Sequence, residues 1–118
     1  MGAFVKGEVV IVPFPFSDLS TIKRRPALVL ANLAGSRARG EDVILCAISH
    51  SSDNSCIQID NSDLEMGHLR QSGDTQLSYV RPTAIFTAEA TIIIRSKGRL
   101  KSGKMNEILE RLISVLSE

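Results

Sequence analysis

Apolar and polar positions along the chain divide it into several short extended segments followed by one helix. Glu8-Val9-Val10-Ile11-Val12 is a β-branched run, and Pro13, which lacks a ladder donor, is expected to end it. Pro13-Phe14-Pro15-Phe16-Ser17-Asp18 is unsuited to a helix, because each proline pushes its predecessor to extended geometry. A loop is therefore predicted from here through Ser20 and Thr21 to Arg25. Ala27-Leu28-Val29-Leu30-Ala31 reads as a second strand and Val43 to Ile48 as a third, with a turn between Gly35 and Gly40. Cys56-Ile57-Gln58-Ile59 alternates with period two, as a half-buried strand does. Asn61 to Gly73 is polar, with at most one helical turn near Leu64. Leu77 to Val80 and Thr83 to Thr87 read as two extended pieces separated by Arg81-Pro82, and Ala90 to Arg95 as the last strand.

The period then changes. Met105, Ile108, Leu109, Leu112, Ile113 and Leu116 form one apolar stripe at helical spacing, with Ser102 as the expected N-cap. The stripe is expected to pack on the core. Many short strands followed by one amphipathic helix predict an α+β domain, a small SH3-like antiparallel barrel with the helix packed on it. With 118 residues, a single domain over residues 1–118 is expected, able to bury roughly two-thirds of its unfolded surface without disulfides or a structural metal.

Composition narrows the class. A 43% hydrophobic and 23% charged chain is not a disordered one. No apolar run approaches the roughly 18 residues of a membrane span. The start Met1-Gly2-Ala3-Phe4-Val5-Lys6 lacks the pattern of a signal peptide. Two cysteines, Cys46 and Cys56, match no zinc-ligand spacing, and Cys46 reads as a buried thiol; a reducing, cytoplasmic setting is expected.

The net charge of +1 hides an uneven distribution. Lys23, Arg24, Arg25, Arg37 and Arg39 lie in a stretch without acids, as do Arg95, Lys97, Arg99, Lys101 and Lys104. Between them, residues 51–80 hold Asp53, Asp60, Asp63, Glu65 and Asp74 against Arg70 alone. Such asymmetry permits a local cationic face able to attract a polyanion; solvated loops are the plainer alternative.

Three segments carry a resemblance: Gly7-Glu8-Val9-Val10-Ile11-Val12, then after a polar loop Arg25-Pro26-Ala27-Leu28-Val29-Leu30, then a strand ending Ala47-Ile48-Ser49. Gly98-Arg99-Leu100 precedes the helix. In this order and spacing the chain resembles the MazF/PemK family of toxin–antitoxin endoribonucleases, from Gly7 to about Leu116. The resemblance implies an SH3-like barrel, a homodimer, cleavage of single-stranded RNA (mRNA) without metal or other cofactor, and inhibition by a cognate antitoxin that covers the RNA site.

In such cleavage the 2′-OH attacks the adjacent phosphorus, so the site must accept one proton, supply another and offset phosphoryl charge. Arg25 matches the family's catalytic Arg before Pro, and its fork of donors suits phosphate as a transition-state stabiliser. Ser49 falls where the family has Thr or Ser and is implied to orient the scissile phosphate or the 2′-OH, although Ser at a strand end is also a common turn former. His50 supplies an imidazole nearby, but strand alternation points it away from a site faced by Ser49 unless the strand has ended. Asp18, Lys23 and Arg24 lie in the loop between the first two strands and join His50 and Arg81 as candidate RNA-binding residues. Asp18 equally suits an Asx-turn, Phe14 and Phe16 suit either base stacking or loop anchoring, and His68 reads as surface.

Two positions depart from the family pattern. Arg24 stands where some members have His, and Phe86, in Ala84-Ile85-Phe86-Thr87, stands where many have an active-site Arg. Arg81 is the nearby cation able to substitute for it. The departure at Phe86 leaves an alternative of another class: a non-catalytic module of the same barrel, such as the gyrase-poisoning CcdB toxins or a plain RNA-binding domain.

Overall fold

The computed structural model describes residues 4–15, 22–35, 38 and 40–118, with the backbone alone at Phe14, Pro15 and Ile22. Among these residues seven strands form one antiparallel sheet: β1 (Glu8–Pro15), β2 (Ile22–Leu33), β3 (Asp42–Ser49), β4 (Ile57–Ile59), β5 (Leu64–Gly67), β6 (Ser78–Glu89) and β7 (Arg95–Leu100). Their order across the sheet is β4-β6-β3-β2-β1-β7-β5, and α1 (Ser102–Leu116) ends the chain.

The near-continuous hydrophobicity of Ala27-Leu28-Val29-Leu30 has a direct cause, since all four side chains are buried. Over residues 27–30 both faces of β2 are buried. On one face Val9, Leu28, Cys46, Ile48 and Val80 pack with Met105 and Ile108 of α1. On the other, Val10, Val12, Ala27, Val29, Val43 and Leu45 pack together, covered in part by Phe4, Phe86 and Ile93. The edge strands β4 and β5 lie farthest apart in the sheet, yet Ile57, Ile59 and Leu64 join the first cluster. The sheet is therefore curled into a half-barrel with its edges turned toward a common core, as the sequence predicts.

Curling needs local breaks in register, and four of the six ladders contain one. The largest lies between β3 and β6: Cys46 pairs with Ile85, but Ile48 pairs with Val80. Residues 81–84 thus stand opposite Ala47 alone. Pro82, fully buried, sits in this bulge, where its missing N–H costs no ladder bond.

Several element boundaries differ from those the pattern predicts. β1 continues through Pro13 to Pro15, and β2 begins at Ile22, so Arg25 lies within a strand rather than at the end of a loop. The prolines are accommodated because β1, past Ile11, pairs with β2 alone, and Pro26 lies one residue before the β2–β3 ladder begins. Arg81-Pro82 bulges β6 without ending it. The single helical turn falls at Asn61–Asp63, capped by Asp60, and Leu64–Gly67 is extended. The Ile92-Ile93-Ile94 run is not a strand. Ala90–Ile92 is a 3-10 turn that buries Ile93, while the more polar Arg95–Leu100 pairs with β1 and β5. Gly98 and Gly67 let β7 and β5 touch, since a Cβ on either would collide with the other strand's backbone.

Ser102 is the first helical residue rather than the cap. Lys101 takes the cap position without a side-chain bond, and the chain is anchored there by Lys101 N–H donating to Asp63 O at 2.8 Å. The apolar stripe is only partly core. Met105 and Ile108 are buried and Leu109 and Leu112 pack against the first cluster, but Ile113 is 62% and Leu116 70% exposed.

This division sets an expectation for stability. Ile108→Ala should cost about 2–5 kcal/mol by opening a cavity under the helix, whereas Ile113→Ala should stay within about 0.5 kcal/mol of wild type. Denaturant titration of the two variants checks it.

Candidate active site

The register break at Ala47 shapes a cleft of about 550 Å³ lined by Arg25, Ala47, Ile48, Ser49, His50, Ser51 and Arg81. Each polar group arrives there for a local reason. Arg25 and Ser49 lie two residues beyond the Ala27–Ala47 pair, on the same end of the β2–β3 ladder. Arg81 occupies the first position of the bulge, and bulges re-aim side chains.

Past Ser49 the backbone turns. The Ser49 hydroxyl donates to Ser51 O at 2.9 Å, and Ser51 N–H donates back to Ser49 Oγ at 3.0 Å. This is the turn-forming behaviour of serine at a strand end. With β3 finished, alternation no longer applies, and His50 lines the same cleft as Ser49 instead of pointing away. Its Nδ1 lies 2.8 Å from Leu77 O.

Behind Arg81 stands Asp53, with Arg81 Nη2 3.4 Å from Asp53 Oδ2. Asp53 is itself fixed, accepting from Ser55 Oγ at 2.6 Å and Ser55 N–H at 2.8 Å. These Ser55 bonds, with smaller help from Cys56 and Arg81, hold its carboxyl below the usual range. The carboxylate thus stays charged and keeps the guanidinium oriented. Asp53 and Leu77 are the supporting groups that the sequence reading did not single out; Asp53-Asn54-Ser55 carries the Asx-turn signal that could have found the first.

Of the other candidate residues, Lys23 and Arg24 are exposed on β2 opposite Phe14 and Pro13, outside the lining of this cleft. Asp18 and Phe16 lie outside the described residues, as does the side chain of Phe14. Phe86 pairs with Leu45 and packs against the second cluster. His68 is exposed, at a wider cleft of about 820 Å³ along β5 and β7 that also takes in Arg70, Arg95 and Lys97. Burial there, with Arg95 adding to it, draws the Lys97 ammonium below its ordinary range, partly offset by Asp74. That cleft has hydroxyls of its own, Ser72 and Ser96, beside His68, Arg70 and Arg95, but Arg25 and Ser49, the two residues that carry the motif resemblance, line the first.

The PemK-like, MazF-like toxin family of type II toxin–antitoxin systems matches the sequence over residues 5–116. The chain belongs to that family. Among solved structures, this PemK-like chain is similar to an endoribonuclease in complex with its cognate antitoxin from Mycobacterial species, at 20% identity and a TM-score of 0.66, over 98% of this chain and 96% of that one. It is similar also to an endoribonuclease from Mycobacterial species, at 20% identity and a TM-score of 0.65, over 99% and 94% of the two chains. At that identity the likeness is one of fold, the same curled sheet with its C-terminal helix. A search of curated proteins finds no match. No helix among the described residues is long and apolar enough to cross a membrane.

The two thiols, Cys46 and Cys56, should behave differently. Cys46 is buried, which pushes its thiol from 9.0 up to about 12, whereas Cys56 is partly exposed. A maleimide should label Cys56 alone in the native protein and both after unfolding, as mass spectrometry would read. The unfolded thiol ionises where the folded one does not, so this contribution to stability is full below pH 9.0 and is lost as pH rises toward about 12. Denaturant titrations of wild type and Cys46→Ala across that range isolate it.

Proposed function

We propose that this PemK-like toxin is an endoribonuclease that cuts single-stranded RNA, mRNA being its target, through attack of a 2′-OH on the adjacent phosphorus. The observation that carries the reading is the convergence of Arg25, Arg81, His50 and the Ser49 turn on one cleft in a member of this toxin family. Attack builds charge on the phosphoryl oxygens, and two guanidiniums facing the same space are suited to offset it. Arg25 is the transition-state stabiliser. Arg81, re-aimed by the bulge and steadied by Asp53, takes the place of the family Arg that Phe86 replaces. Ser49 orients the strand end against which the scissile phosphate lies.

Lys23 and Arg24, exposed on β2, bind phosphates farther along the strand by charge, and Asp18 belongs to the same approach. The bases are read by the loops around the cleft, and the reaction draws on no cofactor. The protein works in the cytoplasm as a homodimer held in check by a separately encoded antitoxin. The relative solved with its cognate antitoxin supports that partner, and the exposed Ile113 and Leu116 of α1 leave apolar surface for a protein contact.

Purified protein, freed of antitoxin, should cut a long RNA transcript in the presence of EDTA and leave 2′,3′-cyclic phosphate and 5′-hydroxyl ends. Arg25→Ala should slow cutting about a hundred- to a thousand-fold, the usual loss for one donor to developing charge. Arg81→Ala should both weaken RNA binding and slow cutting. An intact transcript, or Arg25→Ala cutting as fast as wild type, would overturn the reading. Gel analysis with end-group mapping reads both outcomes.

A further inference from the structure

We infer that His50 is the proton acceptor of this site, taking the 2′-OH proton on Nε2; the inference rests on the nuclease reading above. The decisive contact is the 2.8 Å approach of His50 Nδ1 to the carbonyl oxygen of Leu77. A carbonyl oxygen only accepts, so the ring donates there and Nδ1 carries the hydrogen. In the neutral ring the other nitrogen, Nε2, then holds a free lone pair, the form a general base requires. A backbone carbonyl holds the tautomer without adding a net charge, unlike the carboxylate that performs this task in many histidine sites.

Placement agrees with the assignment. The Ser49–Ser51 turn ends β3 so that residue 50 enters the cleft, and β6 begins just past Leu77, which anchors the ring from the opposite side. Among the described residues, the charged groups facing the cleft are Arg25 from β2 and Arg81 from β6, with Asp53 behind Arg81. None of these serves as readily as a base. Guanidinium stays protonated, and the Asp53 carboxylate is spent on Ser55 and Arg81.

The step balances. The O2′–P bond forms as the P–O5′ bond breaks, and the proton of the 2′-OH passes to Nε2. The departing O5′ takes a proton from water, and the resulting hydroxide is neutralised by the imidazolium, which returns the ring to its starting form.

The test compares wild type with His50→Ala on a single-stranded RNA transcript, and on an oligonucleotide carrying a 2′-deoxy sugar at the cut site mapped with wild type. His50→Ala should cut about a hundred- to ten-thousand-fold more slowly. Its affinity for the deoxy oligonucleotide should fall by no more than a small fraction of the loss in cutting, and it should keep the wild-type thermal midpoint. Added imidazole should restore its cutting in proportion to concentration, an effect no purely structural role would give. The assignment falls if the variant cuts at the wild-type rate, or if its loss tracks lost affinity or resists added imidazole. A wild-type protein that leaves the transcript intact sinks the nuclease reading itself, and His50 with it.

Discussion

The fold is governed by one constraint: a single sheet must bury both of its faces. Ala27, Leu28, Val29 and Leu30 are all buried, and a flat sheet with one small helix could cover only one side of them. The sheet meets the constraint by curling, so that edge strands β4 and β5 contribute to the same cluster as the centre and α1 closes it. Curvature in turn requires extra residues on one strand of a pair. Register breaks in the ladders supply them, and the largest, residues 81–84 opposite Ala47, also borders the cleft lined by Arg25, Ser49, His50 and Arg81. Bending the sheet and aiming Arg81 are one structural event.

That coupling explains what was legible in the sequence. The central strands, the terminal helix and the barrel class follow from apolar periodicity, which reports burial. The same logic failed where pairing, not burial, decides. Arg95–Leu100 has few apolar residues and is a strand because β1 and β5 flank it, whereas Ile92-Ile93-Ile94 is apolar and is a turn. Prolines misled in the same way. Pro13 and Pro26 interrupt a ladder only where a neighbour demands their N–H, and neighbours are not visible in a single chain's pattern. The stripe of α1 was readable as a helix, but nothing in its spacing told Ile108, fully buried, from the exposed Ile113.

At the cleft the division is similar. The places of Arg25 and Ser49 follow motif order, Arg25 directly before Pro26 in β2 and Ser49 at the end of β3. His50 was legible as a residue but not in its direction, because the Ser49 turn that redirects it is a matter of side-chain bonds. The charge pattern was also only half legible. Arg99 of the second basic segment is interleaved with the acidic stretch through Glu65, while Asp60 and Asp53 of that stretch pair with Arg70 inside it and Arg81 just past it.

That interleaving changes how an anion meets the cleft. Arg81 is already held by an internal counterion, the Asp53 carboxylate, at 3.4 Å. A phosphate arriving there exchanges one oxyanion for another, and no salt ion need leave that guanidinium for solvent. The exchange gives up one exposed ion pair to make another, so the net gain at this position is smaller than a tally of nearby arginines implies. The displaced carboxylate remains tethered by Ser55, ready to reclaim Arg81 when the anion departs. A resident competitor of this kind favours short-lived contacts.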